Sequence, residues 1–276
     1  MPLAEQIFSS DEKYKAPLEM FFCRVFKSFY LPSHDLNHHK RVWKNAEKIL
    51  YSLHEKGLNF SQKDIDNLII ACYLHDSGMV VDKGPSHGSE SRKLCEQFLT
   101  ELKLSSDEFI DALTSIENHD NKGYRLISRP EEPCAILSVS DDIDAFGFIG
   151  IYRYLEIYIE RDLPLIEIGR LVCENSSNRF RNFITTYRML PELIAEQTIR
   201  YNTLNSFFEA YDKQAAYYKF DRQAISGHCG VAEIIKERIT KSEPINQSFL
   251  TAREYNDPLI EWYFTELENE LSGITL

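Results

Sequence analysis

The chain has 276 residues, 43% of them hydrophobic, enough to bury a large core without disulfides. A formal net charge of −12 excludes an extended basic surface for duplex nucleic acid, so an anionic substrate has to be met locally, by a metal ion or a few cations in one cleft. The six cysteines are scattered without a C-x-x-C pair, no basic-then-apolar leader opens the sequence, and no apolar run is long enough for a bilayer. The expectation is a cytoplasmic protein with reduced thiols, off the membrane.

Apolar residues recur at helical spacing from the start, as in Phe22, Phe26 and Tyr30 and then Val42, Ala46, Ile49, Leu50 and Leu53. Ser61 and Asp64 form a helix-opening pair, and Ile65, Leu68, Ile69 and Cys72 make one face that runs into His75 and Asp76. Ser77-Gly78 reads as the stop of that helix, with Gly78 in the left-handed conformation common after a last turn. Val80–Ser89 has loop chemistry and a helix follows from about Glu90 to Lys103. Ser105 and Glu108 read as another capping box, and Ile110, Leu113 and Ile116 lead toward His119. A polar loop spans Asn121–Pro133, and Ala135, Ile136, Val139 and Ile143 then mark the buried side of a helix that carries Asp141, Asp142 and Asp144.

Beyond Gly150 the chain stays helical, with no repeat or linker, and Leu259, Tyr263, Leu267 and Leu271 predict a final amphipathic helix. The fold class expected is all-α. Its organisation is read as one helical domain over residues 1–220 with a helical extension over 221–276 packed on it.

His38, the adjacent pair His75-Asp76, and Asp141 offer two imidazoles and two carboxylates, all at helix positions. Carboxylates on an apolar helix are costly unless paired, hydrogen-bonded or bound to metal. This donor mixture suits a divalent ion (manganese, cobalt, nickel, iron, zinc or magnesium) and leaves coordination positions open for water and a substrate oxygen. Asp142 and Asp144 are candidates for orienting a ligand from behind. Lys83, Arg125 and Arg129, in the two loops, are candidates for holding phosphate oxygens. His34, His39, His54 and His228 read as exposed or capping residues.

The ordered segments H38-H-K-R-V42, L-H75-D76-S-G78 and S-D141-D-I-D144-A-F-G147-F-I-G150 resemble the HD superfamily of metal-dependent phosphohydrolases, in particular its small stand-alone bacterial members. S-H87-G-S-E-S91 and I-E-N-H119 resemble two further histidine motifs of that subgroup, and the likeness covers roughly Phe22 to Tyr154. Asp142 departs from it, since many relatives carry Arg there. The resemblance implies an HD-domain helical bundle in which His38, His75, Asp76 and Asp141 bind the metal. It also implies catalytic roles for Asp76, His87 and His119, the two histidines serving as ligands of a second ion, phosphate contacts or proton donors.

The substrate implied is a nucleotide or another small phosphate-containing molecule, cleaved by a metal-activated water as in a phosphatase, pyrophosphatase or phosphodiesterase. The residues after the doublet match neither the stringent-response hydrolases nor the cyclic-dinucleotide phosphodiesterases. Two alternatives stay open: a di-iron oxygenase of the HD type, which uses a similar set of six residues, and a catalytically silent nucleotide-binding regulatory module. One or two ions and a homodimer are also open.

Overall fold

Burial of a helix whose second half, Leu68 to Leu74, is apolar organises the site-bearing half of the protein. The computed structural model describes residues 1–120, 129–220 and 224–273. Among these the chain forms twelve α-helices and three short 3-10 turns and no strand, the all-α class that the helical spacing predicts. Contacts divide it into two compact units, Met1–Ile143 with Asn182–Ile194, and Asp144–Arg181 with Ala195–Leu276. No helix of the described residues is long and apolar enough to cross a membrane.

In the first unit α1 (Leu3–Val25), α2 (Leu36–Glu55), α4 (His87–Glu101) and α5 (Ile110–Asn118) pack against α3 (Gln62–Leu74). Every residue of α3 from Asn67 to Leu74 is buried, the state expected of a helix apolar on all sides. The Ser61–Asp64 capping box forms in both directions, so α3 starts where the sequence says it should. Buried Asn67 then uses its side-chain oxygen to accept the Ala112 N–H at 2.9 Å, satisfying a donor at the start of α5. α6 (Pro133–Asp144) buries Ala135, Ile136, Val139 and Ile143 as the periodicity predicts.

Three local expectations need correction. Gly78 is not among the residues with positive φ; it sits in the 3-10 turn Ser77–Val80, where a Cβ would lie 2.2 Å from the His87 carbonyl oxygen. Close approach of α4, not a left-handed backbone, is what requires glycine there. The Ser105 side chain makes no cap, because the chain closes a 3-10 turn over Ser106–Phe109 with a Glu108 N–H to Ser105 carbonyl bond of 3.1 Å. The helix expected from Glu90 begins earlier, so His87 is its first residue.

In the second unit, α7 (Gly147–Glu160), α10 (Gly227–Lys241), α11 (Ile245–Ala252) and α12 (Pro258–Leu271) pack together with parts of α8 (Leu165–Thr186) and α9 (Pro191–Ala215). The buried seam of α12 is Ile260, Tyr263, Phe264 and Leu267; the expected Leu259 and Leu271 lie at its margin, a rotation of the stripe toward the bulkier rings. Glu270 accepts the N–H groups of Phe148 and Ile149 at 2.6 and 3.0 Å and pairs with Arg200 at 2.7 Å, which closes the N-terminus of α7.

Candidate metal centre

Four polypeptide features bring the histidines and aspartates of the first unit together. The α3 helix carries His75 at its C-cap in helical geometry, and the chain leaves the helix at Asp76 (φ −103, ψ 9). Ser77 Oγ donates to the Leu74 carbonyl at 2.8 Å and its own 3-10 turn follows, which holds the Asp76 carboxyl at the helix end. His38 lies on the first turn of α2, where its N–H donates to the Asp35 carboxylate cap at 2.9 Å. Asn45 of α2 donates to the Ser140 carbonyl at 3.1 Å, tying that helix to α6 beside Asp141. His87 opens α4 and His119 closes α5; at Gly88 a Cβ would stand 2.7 Å from the Glu117 carbonyl, so a small residue allows the two helices to approach.

The result is two overlapping groups of buried donors, His38, His75, Asp76 and Asp141, and Asp76, His87 and His119. Within each, the ligand atoms all lie within 4.8 Å of one another. In the first group His38 Nε2 stands 3.3 Å from His75 Nε2, 3.6 Å from Asp76 Oδ2 and 3.6 Å from Asp141 Oδ1, and His75 Nε2 is 3.3 Å from Asp76 Oδ2. In the second, His119 and His87 Nε2 are 3.0 and 3.5 Å from Asp76 Oδ1 and 3.3 Å from each other. Ligands at about 2.1 Å from one ion are separated by roughly 3 to 4.2 Å, the span these distances occupy. The two oxygens of Asp76 thus serve different groups, Oδ2 the first and Oδ1 the second.

Proton bookkeeping shows what such a cluster wants. Nδ1 of His75 bonds the Cys72 carbonyl at 3.0 Å, that of His87 the Gly84 carbonyl at 2.7 Å, and that of His119 the Ile116 carbonyl at 2.7 Å. A carbonyl only accepts, so each ring carries its proton on Nδ1 and, when neutral, presents a lone pair at Nε2. Neutral His87 and His119 therefore aim two lone pairs and a carboxylate oxygen at one point. Only a cation, a proton or a metal ion, makes that convergence favourable. In proton terms burial disfavours charge on His119, but hydrogen bonding to Asp76, its negative charge and the Ile116 bond prevail and raise the affinity. Burial also opposes the Asp76 carboxylate, but the imidazoles of His75, His119 and His38 that face it hold its pKa well below the usual range whenever one of them carries a second proton. For His75, burial is the larger effect and lowers the pKa. The buried donor set could bind a divalent metal ion.

The sequence-selected residues fall as follows. His38, His75, Asp76, Asp141, His87 and His119 converge. Asp144, the first residue of the second unit, faces Arg153 at 3.0 Å, and Asp142 is fully buried. Arg129 is exposed and pairs with Glu132 and Glu131 at 3.0 and 3.4 Å, while Lys83 is exposed on the segment ahead of α4. Arg125 lies outside the described residues.

Two histidines read as bland in the sequence stand in the centre's wall. His39 is buried behind it, its Nδ1 3.3 Å from the Cys72 carbonyl and its ring against Phe22; burial, then His75 and His38, push its pKa well down, so it is a neutral core residue. His34 brings Nε2 to 3.7 Å from Asp76 Oδ2. Nothing in the spacing of either separates it from a capping histidine, since only the turn before α2 and the α1–α3 packing place them.

No curated protein and no solved structure matches the chain. A family model described as HD-CE matches residues 18–164, more than half of the chain and the stretch that contributes every donor of both groups. By its matched residues and its buried His/Asp cluster, this chain belongs to the HD-CE family, with an HD-type fold.

Proposed function

We propose that the protein is a metal-dependent phosphohydrolase that acts on a nucleotide or another small phosphate ester. The observation that carries this reading is the convergence of imidazole nitrogens and carboxylate oxygens on both sides of Asp76. Such an ion, when bound, lowers the pKa of a water molecule and polarises a phosphoryl oxygen.

In this proposal His38, His75, Asp76 and Asp141 hold the ion, and the carbonyl bond at His75 Nδ1 keeps its Nε2 available as donor. Asp76 accepts a hydrogen bond from the attacking water and orients it toward phosphorus. His87 and His119 either hold a second ion or donate a proton to the leaving oxygen. Lys83, Arg125 and Arg129 are the loop cations proposed to hold phosphate oxygens. The reading excludes duplex nucleic acid and membranes as partners and leaves the ion's identity to experiment. Asp76→Asn removes one ligand charge while keeping the side chain's shape: release of phosphate or pyrophosphate from a nucleotide panel with manganese is expected to fall at least about 100-fold with the helical circular-dichroism signal intact. Unchanged turnover would remove the proposal.

One observation supports a second reading. Each oxygen of Asp76 faces a pair of histidines from its own donor group, His38 and His75 at Oδ2 and His87 and His119 at Oδ1, a set that could hold two ions. Two irons per chain together with oxygen consumption on an organic substrate would make the protein an oxygenase.

A further inference from the structure

Five imidazoles among the described residues stand around Asp76, and four of them belong to the donor groups. The fifth, His34, belongs to neither. We propose that His34 is a substrate-binding residue that donates a hydrogen bond from Nε2 to a non-bridging oxygen of a phosphate group seated at the open face of the first donor group. This deepens the phosphohydrolase reading and rests on it.

Position is the first argument. His34 Nε2 approaches the same carboxylate oxygen, Asp76 Oδ2, as His38 and His75, at 3.7 Å against 3.6 and 3.3 Å. Two ligands of one ion at about 2.1 Å are separated by at most roughly 4.2 Å. Since His34 shares no set of mutually close donors, it lies just outside the ligand shell. A phosphate that places one oxygen on the ion extends its others outward, toward a donor at this distance.

Access is the second. The His34 side chain is 12% exposed, whereas those of His38 and His75 are fully buried, so on the Oδ2 side His34 is the imidazole that faces the solvent from which a substrate arrives.

Rigidity is the third. His34 ends the 3-10 turn Pro32–His34, with Pro32 setting the backbone angle and the His34 N–H donating to the Leu31 carbonyl at 3.0 Å. Leu31 and Ser33 are buried on either side of the proline, the next residue, Asp35, caps α2, and the ring meets that of His38 edge-on at 5.9 Å. The described residues around Pro32 therefore hold this ring beside His38. Charge supports the role: a phosphate entering beside Asp76 and Asp141 meets two carboxylates, and an imidazole N–H donor offsets its outer oxygens.

The test is binding of inorganic phosphate, measured by calorimetry on manganese-loaded protein, alongside manganese content, for the wild type, His34→Phe and His34→Gln. Phenylalanine keeps a ring against His38 but has no donor; glutamine keeps a donor without the ring. Manganese content is expected to be the same in all three, phosphate affinity to fall about tenfold in His34→Phe, the loss of one hydrogen bond to a charged group, and to stay within about threefold in His34→Gln. Equal phosphate affinity in wild type and His34→Phe overturns this inference and leaves the metal centre standing. Loss of manganese in His34→Phe overturns it too, by making His34 a ligand. A wild type that holds manganese but no phosphate, or no manganese at all, ends both this inference and the phosphohydrolase reading.

Discussion

Two buried clusters of charge, one in each unit, are built on opposite principles. In the second unit two carboxylates meet their complements: Glu270 faces Arg200 at 2.7 Å and two N–H groups of α7, and Asp144 faces Arg153 at 3.0 Å. In the first, among the described residues, Asp76 meets five imidazoles and no guanidinium, and when neutral at least three of those rings turn their lone pairs inward because Nδ1 is spent on a carbonyl. A cluster that satisfies itself holds helices together; one that gathers acceptors is completed by something that binds. The difference separates a structural ion pair from a ligand site without appeal to motif.

The comparison can be broken from the structural side. Glu270→Ala removes the carboxylate that Arg200 faces and uncaps α7, so unfolding stability is expected to drop by about 3 kcal/mol in a denaturant titration, with manganese content per chain unchanged. A loss under about 1 kcal/mol, or a loss of metal, would show that the second cluster is not the self-contained one.

A further carboxylate, outside both clusters, sharpens the contrast at smaller scale. Glu47 on α2 is part-buried, and burial first, then the charge of Asp11, against the pull of Lys15 and Lys44, raises its pKa from 4.5 to about 7. A raised carboxyl pKa means that its stabilising contribution is complete below about 4.5 and is lost as pH rises through about 7. Between pH 5 and pH 8 the wild type is expected to lose about 1 kcal/mol more stability than Glu47→Gln, a figure kept small because part of the side chain reaches solvent. Parallel stability curves for the two proteins would show that Glu47 ionises freely.

Much of this was legible in the sequence for a physical reason: local signals suffice where one helix carries both the apolar face and the chemistry. The Ser61–Asp64 cap, the buried face of α3 and the His75-Asp76 pair at its end are such a case, and so is the buried side of α6 that carries Asp141. What stayed hidden depends on tertiary approach. Gly78 looks like a helix stop, yet α4 pressing on it is the reason for glycine. Asn67 caps a helix 45 positions away, Glu270 one more than 120 positions away, and His34 reaches Asp76 only because a proline turn is anchored beneath it. No periodicity encodes such contacts.

The central claim, that the gathered acceptors of the first unit bind metal, is tested most directly by metal content of the tag-free protein by plasma mass spectrometry, before and after reconstitution with manganese. One or two divalent ions per wild-type chain, with the content markedly reduced in Asp76→Asn, is the result expected. No bound metal in the wild type even after reconstitution would contradict the assignment of His38, His75, Asp76 and Asp141 as ligands.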